Sequence, residues 1–287
     1  MGVTIRQARP ADIGAIATVA AATGQTGEWS GSDPAYVTHL LQAGHVVVAE
    51  HQGQVAGFGA ARDVPTPKGT ARMLCDLFVD PGCHGMGLGQ AMLAVLWGGD
   101  GPRMTFSSLH AHALPLYTRY GLDAWWPLLY LGGDVRRLVT PAGWRTAATK
   151  PWDVAALEEA WTGAGRAGDH QAWASRPGGQ PVTASLDGEI LAAGTVAGED
   201  GEYGIVHLAL SPAPAGEQAR DAVMAVLAGL AGLAPQAGTA RVCLPAPHPA
   251  VRPLLAAGWR HEDTDLFMAT DPALLDPRRA VPSPGEA

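Results

Sequence analysis

The stretch Asp80-Pro81-Gly82-Cys83-His84-Gly85-Met86-Gly87-Leu88-Gly89-Gln90 puts glycine at alternate positions. It follows the apolar run Leu77-Phe78-Val79 and precedes the Ala/Met/Leu run Ala91 to Leu93. This order predicts a strand ending at Pro81, a glycine-rich loop, and a helix beginning near Leu88. Such a loop suits an anion, because glycine lets the backbone approach a phosphate and the first N–H groups of the helix point at it. A nucleotide P-loop is excluded, since no Gly-Lys-Ser/Thr is present. A dinucleotide fingerprint belongs near the start of a βαβ unit, whereas this loop comes after a predicted helix and three strands. A pyrophosphate-bearing ligand is the remaining chemistry, with a ligand-free tight turn as the alternative.

A second segment, Ala113-Leu114-Pro115-Leu116-Tyr117-Thr118-Arg119-Tyr120-Gly121-Leu122, reads as a short helix ended by a glycine cap. Tyr117 on that helix is either buried structure or a proton donor. His110 and His112 form a His-x-His pair that is either polar loop or a base or metal pair. No third or fourth ligand stands at a convincing spacing, so no metal is expected. Cys75, Cys83 and Cys243 show neither metal-ligand spacing nor a disulfide framework. Cys75 reads as a small core residue.

The elements that must position these residues occur twice. Arg9-Pro10-Ala11-Asp12-Ile13 lines up with Lys150-Pro151-Trp152-Asp153-Val154, each a strand end, a turn and an amphipathic helix with an N-cap carboxylate. Val47 to Val55 lines up with Val182 to Ile190, each a β-hairpin around a glycine turn. Leu77 to Pro81 lines up with Leu208 to Pro212, and Ala113 to Leu122 with Ala250 to Trp259. Four matches in one order indicate an internal duplication. The expected division is residues 1–138, a linker at 139–143, a second copy at 144–271, and an extended or disordered tail at 272–287.

A chain of 287 residues is long for one core and comfortable for two. With 47% hydrophobic and 16% charged residues it has the apolar material to bury them. A net charge of -8 with no Lys/Arg cluster argues against nucleic acid as a partner. No signal peptide and no apolar run of membrane-spanning length is visible, so a cytoplasmic protein with no membrane partner is expected. A monomer or weak homodimer is the expected state.

The two segments resemble the cofactor motifs of the GNAT superfamily of acyl-CoA N-acyltransferases. The family's loop, Gln/Arg-x-x-Gly-x-Gly/Ala, reads here His84-Gly85-Met86-Gly87-Leu88-Gly89, with His84 replacing Gln or Arg. The family's later Asn-x-x-Ala-x-x-x-Tyr-x-x-x-Gly-Phe reads with His110, Ala113, Tyr117, Gly121 and Leu122. The resemblance covers residues 1 to about 135 well and the second half in outline. It implies an α/β (α+β) fold of two tandem GNAT-like domains, each with a mixed, mostly antiparallel sheet flanked by helices. It also implies acetyl-CoA as co-substrate and direct acyl transfer to the amine of a small molecule or peptide. Leu77, Phe78 and Val79 would hold the pantetheine. His84, Gly85, Met86, Gly87, Leu88, Gly89 and Gln90 would hold the pyrophosphate. Ser108 would border the cofactor, and Tyr117 would protonate the leaving thiolate.

Departures from the family are equally informative. Where many members carry a Glu base on the fourth strand stands Met73, and two residues on stands Cys75. Asp76 alternates to the other face of the strand unless a bulge redirects it. The base is thus unassigned. The second copy carries Glu217, Gln218 and Arg220 opposite the glycine loop and Leu254 opposite Tyr117, so a degenerate copy without cofactor is expected. His207, opposite Asp76, reads as a core histidine. Glu28, Trp29 and Trp125 are expected to border the acceptor. Nine Trp, among them Trp126, Trp161 and Trp173, either wall that pocket or fill core. The alternatives to N-acyl transfer are a non-catalytic acyl-CoA-binding scaffold and transfer to a hydroxyl or thiol.

Overall fold

The computed structural model describes residues 2–24, 34–212 and 216–285. By contacts the chain divides into two compact units. The first comprises Met1–Phe106, Ala111–Asp123 and Met268–Asp271; the second comprises Ser107–His110, Ala124–Phe267 and Pro272–Ala287.

In the first unit β1 (Thr4–Gln7), β2 (His45–His51), β3 (Gln54–Thr66) and β4 (Gly69–Val79) pair antiparallel in that order. The β2–β3 hairpin turns on Gln52 and Gly53, both with positive φ, which matches the twist of the flanking strands. β5 (Arg103–Ser108) joins β4 in parallel. Beyond β5, Thr270 N–H donates to Arg103 C=O at 3.0 Å. Helices α1 (Ile13–Ala22) and α2 (Pro34–Ala43) cover one face through a core of Ile16, Val19, Tyr36, Val37, Leu40 and Phe58. Helix α3 (Leu88–Leu96) buries Leu88, Met92, Leu93 and Leu96, spaced as one helical stripe. Each such side chain stabilises the unit by about 1.5–3 kcal/mol. Asp12 is not a side-chain N-cap. It stands at the third position of a short 3₁₀ turn, accepts from Arg9 N–H at 2.7 Å and is gripped by Arg6 at 2.8 Å. Those bonds to Arg6 hold its carboxyl below the ordinary range.

The second unit repeats the plan. Strands β7 (Trp144–Ala148), β8 (Gln180–Leu186), β9 (Glu189–Glu199) and β10 (Glu202–Leu210) run antiparallel, and β11 (Thr239–Pro245) lies parallel to β10. Helices α5 (Pro151–Thr162), α6 (Ala167–Ala174) and α7 (Glu217–Leu233) pack on them, and α8 (Val251–Ala256) follows β11. Beyond β11 the order continues with β6 (Asp123–Asp134) and then β12 (Arg260–Ala269).

The division in space therefore departs from the one expected along the chain. Most of β6 belongs to the first copy in sequence yet lies in the second unit, antiparallel to β11 over Asp134–Leu128. Residues Met268–Asp271, from the end of the second copy, lie in the first. Residues 272–285 of the tail are held within the second unit. Val281 and Leu274 are buried, and the Arg279 guanidinium donates to Pro212 C=O at 3.0 Å and to Ser211 C=O at 2.5 Å. Hydrogen bonds from a cation to the end of β10 order a segment whose Pro/Arg/Ser composition suggested disorder.

Candidate active site

The first unit builds its cleft from a fork between two parallel strands. β4 pairs with β5 only over Arg72–Leu74 against Arg103–Thr105. β4 nevertheless continues to Val79, paired with β3 throughout. From Cys75 onward the edge of β4 that faces away from β3 has no ladder partner in β5. The Thr105 hydroxyl donates to Leu74 C=O at 3.1 Å and closes the base of the fork. Leu77, Phe78 and Val79, expected to hold the pantetheine, form this open edge and are half-buried.

At the end of β4 the chain turns into the glycine loop. The Asp80 carboxylate accepts from Gly82 N–H at 2.7 Å, and His84 Nε2–H donates to Val79 C=O at 3.0 Å. His84 thus ties the loop back onto the strand end. Gly87 is the N-cap of α3 with φ 76° and ψ 10°, a left-handed conformation costly for any residue with a Cβ. The first helical bond is Ala91 N–H to Gly87 C=O. The N–H groups of Gly87, Leu88, Gly89 and Gln90 have no acceptor among the described residues. Free donors aligned with a helix axis form an anion site. Gly85, Met86, Gly87 and Gln90 are exposed, so the site is open to a ligand.

Tyr117 lies on α4 (Ala113–Thr118), buried, with its ring edge-on to Trp97 at 5.8 Å between centroids. Leu116 of the same helix comes within 3.7 Å of a Cβ placed at Gly89, so α4 packs beside the start of α3. Tyr120, one turn on, donates to Gln90 C=O at 2.9 Å, and burial raises its phenol pKa. The loop, the open edge of β4 and Tyr117 are brought together in one unit. Ser108 is the exposed last residue of β5 and falls in the stretch grouped with the second unit. Trp125, on β6 of the second unit, is 40% exposed, while Trp126 beside it is buried and stacked on Phe267 at 4.4 Å. Glu28 and Trp29 lie outside the described residues.

The residue that strand alternation left unassigned is Asp76. On β3, Ala61 pairs with Leu74 but Ala60 pairs with Asp76, so Cys75 is an extra residue on β4. That bulge moves Asp76 to the face shared by Met73, the face covered by α1 and α2. Asp76 is buried there, and the Tyr36 hydroxyl donates to it at 2.8 Å. No periodicity in Met73-Leu74-Cys75-Asp76 announces a bulge, because all but Asp76 fit a buried strand.

Residues 42–121 match the family profile of the acetyltransferase (GNAT) domain. The stretch from β2 to α4 is thus similar to that domain. Its loop, fork and bulge all lie within the matched segment. Among solved structures, a Pyrococcus horikoshii protein described as an acetyltransferase is similar over 100% of this chain and 96% of its own, at 14% identity and TM-score 0.72. A tandem GNAT protein from the clavulanic acid biosynthesis pathway is similar over 93% of this chain and 98% of its own, at 15% identity and TM-score 0.63. A GCN5-related N-acetyltransferase from Sphaerobacter thermophilus is similar over 93% and 95%, at 14% identity and TM-score 0.59. At these identities the likeness establishes the fold. No curated protein matches the sequence.

Proposed function

We propose that this protein transfers an acetyl or other acyl group from acyl-CoA directly to the amine of a small molecule or peptide, in the cytoplasm. The observation that supports this reading best is the run of free N–H groups at Gly87–Gln90, placed at the mouth of the β4–β5 fork. The pyrophosphate would rest on those donors. The pantetheine amides would pair with the open edge of β4 as an added strand does. A backbone N–H near the bulge at Cys75 would polarise the thioester carbonyl, so that charge developing on oxygen meets a fixed dipole. Asp76, held by Tyr36, is the carboxylate nearest in chain to that bulge and is the candidate base for the incoming ammonium. Tyr117 would return a proton to the thiolate.

Steady-state assay of CoA release against a panel of primary amines tests this. Turnover that is abolished in Asp76→Asn while acetyl-CoA still binds supports direct transfer to an amine. Binding of acetyl-CoA without turnover on any amine, alcohol or thiol would replace the enzyme by an acyl-CoA-binding scaffold. In the second copy Gln218 and Arg220 stand in place of Gly87 and Gly89, and Arg279 occupies the carbonyls at the end of β10, which supports a single cofactor site.

A further inference from the structure

The second unit contains a buried polar cluster that acyl transfer does not use. Glu158 on α5, His170 on α6 and His207 on β10 meet there, with side chains 3%, 0% and 12% exposed. His170 Nε2 stands 2.6 Å from Glu158 Oε2, and His207 Nε2 stands 2.9 Å from Glu158 Oε1. His207 is turned toward Glu158 by a register shift between Ile205 and His207, the counterpart of the bulge at Cys75. His207 is therefore not a lone core histidine. Burying a carboxylate and two imidazoles costs several kcal/mol unless the group is fully satisfied.

It is not fully satisfied. Thr195, the cross-strand partner of His207, is wholly buried, and its Oγ1 has no hydrogen-bond partner. His170 Nδ1 is likewise buried without one. Arg166 is held by Asp169 at 2.8 Å and lies 4.8 Å over the Trp173 ring, while its approach to Glu158 is 3.9 Å.

We propose that Glu158, His170 and His207 form a structural site for one divalent transition-metal ion of the zinc class. Two imidazole nitrogens and a carboxylate are donors that zinc prefers, and these lie within 4.8 Å of one another on three separate elements. Local motif spacing does not reveal them, since Glu158 is 12 residues from His170 and 49 from His207. The present distances are those of hydrogen bonds. Donors on a tetrahedral ion with bonds of about 2.0–2.1 Å stand about 3.3 Å apart, so loading retracts the two rings by about half an ångström. It also moves each imidazole proton from Nε2 to Nδ1. Thr195 Oγ1 faces the same side as His207 and would anchor a metal-bound water in the fourth position. The ion would staple α5 and α6 to β10.

The test uses the full chain, stripped with a chelator and dialysed. Zn²⁺ added back is expected to bind at one per chain by elemental analysis and to raise Tm. Co²⁺ is expected to give the intense visible bands of tetrahedral coordination. His207→Gln and His170→Gln, which keep a hydrogen-bonding side chain, should lose both signals, while His110→Ala and His112→Ala should keep them. Absence of the Co²⁺ bands and of a Zn²⁺-dependent Tm rise in the wild type overturns the proposal, even if the glutamine variants do not fold. Undiminished Zn²⁺ binding in a folded His207→Gln variant overturns it too.

Discussion

Replacing Gly87 separates backbone strain from charge at the proposed pyrophosphate cradle. Its φ of 76° makes any L-residue cost about 1–2 kcal/mol. A Cβ there meets nothing within 4 Å, so a methyl group adds no clash with the protein. Gly87→Ala therefore carries the strain alone, and Gly87→Glu carries the same strain plus a negative charge. A carboxylate about 5 Å from a phosphate, at an effective dielectric of about 20, is repelled by about 3 kcal/mol. That corresponds to roughly a hundredfold in Kd. Calorimetric titration with CoA should give a Kd raised less than tenfold by Gly87→Ala and about a hundredfold more by Gly87→Glu, the difference shrinking at high salt. Equal losses in the two variants would refute the electrostatic argument, and normal CoA binding by Gly87→Glu would remove the ligand from this loop.

Other consequences are as direct. Tyr117→Phe should lower kcat with little change in CoA affinity; equal loss of both would make Tyr117 a wall of the cofactor site. Tyr36→Phe should lower kcat, since it removes the hydrogen bond that orients the Asp76 carboxylate; an unchanged kcat would separate Asp76 from catalysis. Burial lowers the pKa of His248 to about 4, against a weaker opposing pull from Asp276. Its folded pKa is depressed, so the stability it contributes is present above about pH 6.5 and lost as pH falls toward 4, to a limit of about 3 kcal/mol. His248→Gln should flatten the Tm–pH curve in that window. Asp265 runs the other way, raised by burial to about 6 despite the Tyr130 hydroxyl at 2.6 Å. Its folded pKa is raised, so stability falls as pH climbs from about 4 through 6. Asp265→Asn should gain about 1–2 kcal/mol at pH 8 and nothing at pH 4, measured by urea unfolding.

The glycine loop, the start of α3 near Leu88, both hairpins and the duplicated order of elements were legible in the sequence. Each rests on local chemistry, such as the paired turns at Gln52-Gly53 and Asp187-Gly188. What was not legible depends on pairing between distant strands. The bulge at Cys75 inserts one residue in a ladder whose pattern reads as continuous strand, so Asp76 changed face unseen. β6 lies against β11 because strand pairing does not respect the boundary of a sequence repeat. The convergence of Glu158, His170 and His207 needs α5, α6 and β10 to be in place before it exists. What holds the tail was not legible, because Arg279 finds its acceptors, Ser211 and Pro212, 67–68 residues away.

The central claim is one acyl-CoA site, in the first unit, made by backbone donors. Amide hydrogen exchange with and without acetyl-CoA measures those donors themselves. The account predicts slowed exchange at Gly85–Gln90 and along Leu77–Val79, with none at the corresponding segment around Glu217–Arg220. Protection absent from Gly87–Gln90 in protein saturated with acetyl-CoA, or equal protection in both segments, would contradict it.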